Sequence, residues 1–238
     1  MPALLTLVMV PPPFDPHPKQ LRGAAGQLFE TPEANHHAGM QPFAVGPLIR
    51  GVGSAEWRLG WLSDRPGPPG WPPPAVTFGP TACRVLARHR EWSPFARLAA
   101  DGPVRRAVMR VLTPMFFSRN GRDLPLPDPV LIAQNLLLRW NALAPAELEI
   151  DDAVKRALLD GVYLAGMVGT TAHLPVGPRL RQAGFVGDVE LRLTRATSSA
   201  AAQTFGALTR FASIAGIGAM TTHGFGAVEV QPITPRRG

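Results

Sequence analysis

The sequence predicts an α+β protein made of two consecutive domains with a similar order of elements. Strand-like runs alternate with helix-like runs in both halves, and prolines and glycines concentrate in the stretches between these runs. The length of 238 residues suits one large or two small domains. With 45% hydrophobic and 17% charged residues, the chain can bury a core, which excludes a disordered protein. The two predicted domains span residues 1–100 and 101–238.

The first half contains three strand-like and two helix-like runs. Leu4–Val10 is a continuous apolar run of strand length, which is typical of an inner strand. Glu56–Trp61 alternates large apolar residues with others at the period of a half-buried strand. Thr81–Arg90 groups apolar residues on one helical face and so predicts a basic amphipathic helix. The predicted order is strand Leu4–Val10, helix Lys19–Phe29, strands Met40–Ile49 and Glu56–Trp61, and helix Thr81–Arg90.

The second half repeats this order with clearer helix starts. Asp128 followed by Pro129 predicts a helix start, because a carboxylate can cap the first turn and proline lacks an N–H that would stay unpaired there. Ser199 is expected to cap the last helix. The predicted elements are strand Val104–Thr113, a helix from Asp128, helix Asp151–Leu159, strands Val162–Val168 and Val186–Thr194, a helix from Ser199, and strand Ala227–Val230. Both halves approximate βαββαβ, the ferredoxin-like unit, although no sequence repeat is visible.

The charge of the chain favours a polyanionic partner. The formal net charge is +7, and only Lys19 and Lys155 of the 24 Lys and Arg residues are lysines. Arginine presents a planar fork that matches phosphate and a plane that stacks on nucleic-acid bases. The stretch from Arg84 to Arg122 contains nine arginines and two acidic residues, which favours a nucleic-acid groove over the alternative of a solvated charged surface.

Several kinds of protein are excluded by simple counts. Cys83 is the single cysteine, which excludes an internal disulfide framework and metal sites built from several thiolates. Neither a His-Glu-x-x-His motif nor a Cys/His cluster occurs, so we expect no metal and no cofactor. The apolar start Met1–Val10 lacks a basic flank and is too short to span a bilayer. We therefore expect a cytoplasmic protein with no membrane contact.

The most specific local pattern is the glycine-rich loop at residues 216–226. Glycines allow close approach of another backbone, and successive N–H groups in such a loop can bind an anion. A dinucleotide fingerprint would need glycine where Thr221 stands, and it would follow a strand, whereas this loop follows a predicted helix. A P-loop is excluded because no Gly-Lys-Ser/Thr is present. The loop therefore either binds phosphate or simply turns the chain before the last strand.

The segments Gly184–Asp188 and Phe211–Val228 resemble the C-terminal signature of the CRISPR-associated repeat-RNA endoribonucleases, which belong to a superfamily of repeat-associated RNA-binding proteins. Further segments that match in the family's order are Gln41–Leu48, Leu112–Phe117, Leu124–Pro127 and Leu138–Asn141. The resemblance implies two tandem ferredoxin-like domains and recognition of a CRISPR repeat RNA, often a hairpin. It also implies metal-independent cleavage that leaves a 2′,3′-cyclic phosphate and a 5′-hydroxyl.

The resemblance also implies where catalysis occurs. Many members place a catalytic histidine shortly before a Pro-Phe strand, and that position holds His36 and His37 in this chain. Cleaving RNA without metal requires a base, an acid and cations around the phosphorane, and histidine can serve the first two roles. We favour His36 over His37, with Arg22 stabilising the phosphorane. The alternatives are that these three side chains lie on the surface without a catalytic role, or that arginines rather than histidines carry out catalysis.

The expected RNA contacts come from the basic segment and the glycine-rich loop. One departure is Met220, which stands where the family commonly has Lys or Arg. The expected partner is CRISPR repeat RNA, with other subunits of an effector complex as possible further partners. A non-catalytic RNA-binding subunit and a small-molecule enzyme on the same fold are the alternative functions. The residues expected to bind RNA are Arg84, Arg88, Arg90, Arg105, Arg106, Gly216, Gly218, Thr221, Thr222, His223, Gly224 and Gly226.

Overall fold

The computed structural model describes residues 1–30, 40–65, 67–68, 70–177 and 179–231. His36 and His37 lie outside the described residues. The elements of the first half are β1 (Ala3–Met9), α1 (Pro18–Phe29), β2 (Phe43–Arg50), β3 (Ala55–Trp61), β4 (Ala75–Phe78), β5 (Thr81–Trp92) and α2 (Phe95–Ala100). Those of the second half are β6 (Arg106–Met115), β7 (Phe117–Arg119), β8 (Arg122–Leu124), α3 (Pro129–Leu143), α4 (Asp152–Gly161), β9 (Val162–Pro175), β10 (Arg181–Leu193), α5 (Ser199–Ala215) and β11 (Val228–Gln231).

The first sheet has five strands in the order β2-β3-β1-β5-β4. Along β1, fully buried residues alternate with half-buried ones, as the period of a strand requires. The buried face of β1 shares one core with Leu28 and Phe29 of α1 and with Trp57 of β3. This packing fixes α1 across the sheet, and α1 ends directly before the segment that contains the two histidines.

The predicted helix Thr81–Arg90 is wrong, because this segment is strand β5. β5 pairs with β1 on one side and with β4 on the other, and Cys83 and Val85 alternate with exposed neighbours. The pairing with β1 shifts register between Val8 and Met9, so that Leu86 is an extra residue and the two-residue period of the strand is interrupted there. This interruption makes the apolar spacing of the segment resemble that of a helix. Pairing with two neighbouring strands therefore overrides the local pattern.

The second sheet has four strands in the order β11-β6-β10-β9. Helices α3, α4 and α5 share a core with this sheet through large buried side chains such as Trp140, Leu158 and Phe211. The short hairpin of β7 and β8 follows β6 and leads into α3. The element order β6, α3 and α4, β9, β10, α5, β11 with this strand order is the ferredoxin-like arrangement.

The predicted fold class, α+β with two tandem ferredoxin-like units, is confirmed. The first unit departs from the ideal arrangement, since the described chain passes from β3 to β4 without a helix. The division at residues 100 and 101 stays a prediction. Phe95 and Leu98 of α2 pack into the core of the second sheet, which favours a division a few residues earlier.

Helix starts follow the capping residues of the sequence. Asp128 accepts a hydrogen bond from the N–H of Leu131 at 2.9 Å, and proline occupies the first turn of α3 as predicted. The cap of α5 is Ser198 rather than Ser199, because the hydroxyl of Ser198 accepts from Ala201 at 3.2 Å and Ser199 is already helical. Within the described part of the chain, no helix combines the length and apolarity needed to cross a membrane.

The two units meet where β3 lies against the end of α5. A Cβ at Gly60 of β3 would lie 1.9 Å from the carbonyl oxygen of Ile214, so only glycine allows this approach. Arg58 of β3 donates to Glu56 at 3.1 Å and also to Glu229 of β11. These contacts place the loop that follows α5 beside the first unit.

Candidate active site and nucleic-acid interface

The glycine-rich loop joins α5 to β11 and folds against the end of β6. Ile217 and Ala219 donate their N–H groups to backbone carbonyl oxygens, each at 2.8 Å. Between them, the N–H of Gly218 donates to Asn135 Oδ1 at 3.0 Å. These three consecutive N–H groups are engaged inside the protein. In the turn at residues 220–224, the N–H of His223 also donates to a backbone carbonyl oxygen, that of Met220 at 2.8 Å. Thr221 and Gly224 are buried, so Met220, Thr222 and His223 are the residues of the turn that a ligand can reach.

Two glycines of the loop have different tasks. Gly218 has φ +87°, and a Cβ there would lie 2.4 Å from the carbonyl oxygen of Phe116, so alanine would distort the loop itself. Gly224 has φ +90°, and a Cβ there would lie 3.2 Å from Leu21 Cδ1 on α1. Gly218 thus lets the loop close on the second unit, whereas Gly224 lets the turn approach the first.

The turn of the glycine-rich loop brings His223 to the positive side chains of α1. Thr221–His223 forms one turn of 3₁₀ helix, and His223 Nδ1 lies 3.1 Å from Thr222 Oγ1. Burial lowers the pKa of His223 below its usual value, and the charges of Arg22 and Lys19 lower it further. The imidazole is therefore neutral at neutral pH, within a site that is already positive.

Arg22 is held in place by two contacts within the first unit. Its guanidinium pairs with Glu30, and it also lies over the ring of Phe43 at 4.9 Å from the centroid. Both side chains of the ion pair are mostly buried, with 20% of Arg22 and 14% of Glu30 exposed. Glu30 directly precedes the segment that contains His36 and His37. The cation is thus fixed at the start of the predicted catalytic segment.

The arginines of β5 lie across the first sheet from the cluster formed by Lys19, Arg22 and Glu30 with His223. The turn of the glycine-rich loop contacts α1 and β2, whereas β5 lies three strands from β2, on the order of 14 Å away at the usual strand spacing. Arg88 pairs with Leu7 and Arg90 with Leu5, so both share the face of the sheet that carries α1. The register shift places Arg84 on the opposite face. The structure therefore does not bring these three arginines to one surface.

Arg105 and Arg106 bind groups of the second unit. Arg105 donates to the carbonyl oxygens of Thr194 and Thr197, at 3.1 and 2.8 Å. Arg106 donates to both carboxylate oxygens of Glu190, at 2.8 and 3.2 Å. The hydrogen bonds from Arg106, together with one from Arg192, lower the pKa of Glu190 to about 2. Arg106 begins β6 and the glycine-rich loop packs at its far end, so the structure separates these arginines from the loop.

Comparison with known proteins assigns the chain to a family. The profile of the CRISPR-associated endoribonuclease Cas6 family matches residues 109–228, from within β6 to the first residue of β11. The chain belongs to the Cas6 family. Membership confirms the resemblance found in the sequence and makes endonucleolytic processing of CRISPR RNA the activity class of this Cas6-family protein.

Similar proteins cover nearly the whole chain. The CRISPR-associated endoribonuclease Cas6 of Mycobacterium tuberculosis is 27% identical over 228 residues, which are 89% of this chain and 71% of that protein. A Cas6 product complex is 32% identical, with a TM-score of 0.82 over 97% of this chain and 99% of that one. A Thermus thermophilus Cas6 structure is 26% identical, with a TM-score of 0.74 over 97% and 98% of the two chains.

The sequence does not indicate two residues that lie beside Arg22 in the structure, Lys19 on α1 and Glu30 directly after it. Lys19 and Glu30 were not singled out, although Lys19 lies three positions before Arg22 and so shares its side of a helix. Glu30 carries no such signal in the sequence, because its pairing with Arg22 depends on how the chain leaves α1.

Within the described ranges, no three His, Cys, Asp or Glu side chains converge as a set of metal ligands.

Proposed function

We propose that this Cas6-family chain binds CRISPR repeat RNA across α1 and the turn at residues 220–224 and cleaves it without a metal ion. The observation that carries the proposal is the packing of the turn that holds His223 against α1 and β2. This packing brings Arg22 and Lys19 of α1 near enough for their charges to lower the pKa of His223. Each unit contributes one side of this site, and a scissile phosphate is the kind of group that such a cluster attracts. Two solved structures of Cas6 relatives support the proposal, since one is a product complex and the other a complex with a substrate mimic.

The proposed reaction is an internal transfer at phosphorus. A base removes the proton of a ribose 2′-hydroxyl, and the 2′-oxygen attacks the adjacent phosphorus. The bond from phosphorus to the 5′-oxygen then breaks, and an acid protonates the departing 5′-oxygen. The products are a 2′,3′-cyclic phosphate and a 5′-hydroxyl, and no external reactant is consumed.

The proposed roles divide between the histidines and the cations. His36 or His37 supplies the base or the acid, because histidine exchanges protons near neutral pH. Arg22 stabilises the charge that develops on the phosphorane, and its pairing with Glu30 and its contact with Phe43 keep its position before RNA arrives. Lys19 adds a second positive charge on the same helix. An RNA hairpin and further effector subunits are the proposed partners.

Cleavage of a radiolabelled CRISPR repeat RNA in EDTA tests the proposal. We expect full activity in EDTA, a cyclic phosphate on the upstream product, and no cleavage when the nucleotide before the scissile phosphate is 2′-deoxy. A requirement for a divalent metal, or cleavage of the 2′-deoxy substrate, would contradict the mechanism. Binding without cleavage under all conditions would favour the non-catalytic RNA-binding alternative.

A further inference from the structure

Helix α3 carries two polar side chains on the side that packs against the glycine-rich loop. Asn135 and Arg139 are one helical turn apart, so they project in nearly the same direction. Asn135 is half-buried, whereas Arg139 is 3% exposed and lies among the apolar residues of the second core. Buried arginine is uncommon and requires hydrogen-bond partners.

The two side chains bind both ends of the segment that leaves α5. Arg139 Nη1 donates to the carbonyl oxygen of Ala215, the last residue of α5, and to that of Gly216 at 3.2 Å. Asn135 Oδ1 accepts from the N–H of Gly218 at 3.0 Å, and Asn135 Nδ2 lies 3.5 Å from its carbonyl oxygen. Helix α3 thus binds the backbone at both ends of this segment. It binds the carbonyl groups of Ala215 and Gly216 at the start, and both the N–H and the carbonyl group of Gly218 at the end.

The charge of Arg139 is expensive to bury. Burial lowers the pKa of Arg139 to about 10, with no charged neighbour among the described residues offsetting it, so it stays cationic at neutral pH. The carbonyl groups at the C-terminal end of α5 carry partial negative charge and supply part of the compensation. An apolar side chain of similar volume would often stabilise such a position as well or better. The partners of this cation are carbonyl oxygens of Ala215 and Gly216, so its hydrogen bonds act on the backbone that begins the glycine-rich loop.

We propose that Asn135 and Arg139 are positioning residues that set the path of the glycine-rich loop, so that its turn meets α1 at the RNA-binding site. This inference rests on the proposed function. From Gly218 the chain continues to Ala219, which donates to Phe116 at 2.8 Å, and then enters the turn that contains His223. An error in the direction of the chain at Gly218 would displace His223 relative to Arg22.

Three variants test the proposal. Asn135→Ala removes the contacts to Gly218, and Arg139→Lys keeps the charge but loses the planar fork. Gln134→Ala is the matched control, because Gln134 is the exposed neighbour on the same helix. For each protein we would measure the Tm, the Kd for repeat RNA made uncleavable by a 2′-deoxy substitution, and the hydrogen exchange of residues 216–224.

For Asn135→Ala we expect a Tm near that of the wild type and about tenfold weaker RNA binding, which corresponds to about 1.4 kcal/mol. Exchange in residues 216–224 should rise at least roughly tenfold, because the loss of about 1.4 kcal/mol makes the local opening that much more frequent. Arg139→Lys should show smaller changes of the same kind, and Gln134→Ala none. A residue that only stabilises the fold would instead lower the Tm and the affinity together.

Wild-type affinity and wild-type exchange in Asn135→Ala would overturn the proposal, and so would loss of affinity only in proportion to a lower Tm. If Asn135→Ala does not fold, Arg139→Lys decides by the same comparison. Failure of the proposed function would look different, since the wild-type protein itself would then not bind the repeat RNA. In that case the exchange of residues 216–224 would still decide whether α3 holds the loop.

Discussion

His223 of the glycine-rich loop lies close enough to Arg22 of α1 for the arginine to lower its pKa, although the two residues belong to opposite ends of the chain. The approach depends on Gly224, which lies against Leu21 of the same helix. The two units thus share a site in which Arg22 and Lys19 disfavour the protonation of His223, and a negatively charged group would offset their charges. A phosphate of bound RNA is the proposed group.

Replacing Arg22 with glutamine should lower the single-turnover cleavage rate about 10²- to 10³-fold, the usual cost of removing a group that stabilises charge in the transition state. Affinity for uncleavable RNA should fall less, since ground-state contacts to other phosphates remain. Arg156→Gln, at an exposed position of α4, is the control and should cleave like the wild type. Equal losses for both variants would mean that only overall charge matters.

Replacing His36 and His37 together with alanine should abolish cleavage and leave RNA binding within a few-fold of the wild type. The base and the acid act mainly in the transition state and contribute little to ground-state binding. Rates are compared under single-turnover conditions with binding measured separately on uncleavable RNA. Cleavage near the wild-type rate would exclude both histidines and favour a site driven by arginine.

Charge reversal on β5 should separate two surfaces of the first sheet. Each phosphate contact contributes about −0.7 to the slope of log affinity against log salt for single-stranded nucleic acid. Arg88 lies on the face of the sheet that carries α1, so Arg88→Glu should remove about one phosphate contact and flatten the slope by about 0.7. Arg84 lies on the opposite face, so Arg84→Glu should leave the slope unchanged. The reverse result would place the RNA on the face opposite α1. No change in either variant would leave both arginines as solvated surface.

The stability of the protein without RNA should depend on the titration of His223. Burial and neighbouring cations make the folded His223 bind its proton less tightly than the unfolded one. The unfolded state then takes up more protons, so the free energy of unfolding should fall as the pH drops below about 6.5. Between about pH 7 and pH 5, the Tm of the His223→Gln variant should fall less than the Tm of the wild type. Parallel pH profiles of Tm for the two proteins would contradict this.

Much of the fold could be predicted because local chemistry decides it. Asp128 and Asp151 cap α3 and α4 as their positions before the apolar runs indicate, and the glycine-rich loop lies between a helix and a strand as expected. Thr81–Trp92 could not be assigned in this way. Its apolar residues fit a helical face, and the irregular pairing that makes it a strand involves β1, far away in the sequence.

The candidate site could be predicted only in part. The sequence indicates which residues have suitable chemistry, such as Arg22 and the residues of the glycine-rich loop, but it does not show that Lys19 and Arg22 meet His223. That meeting depends on the packing of β3 against α5 and of the loop against α1. The roles of Asn135 and Arg139 were equally hidden, although an arginine within an apolar helix face was a signal that could have been used.

The pKa of His223, measured by NMR in the free protein and in a complex with uncleavable repeat RNA, tests most directly whether a phosphate lies between the two units. The variant His223→Gln assigns the resonance. In the free protein the pKa should lie below the usual value for histidine, and in the complex it should rise, because a phosphate offsets the charges of Arg22 and Lys19. An unchanged pKa in the saturated complex would contradict the placement of RNA between α1 and the glycine-rich loop.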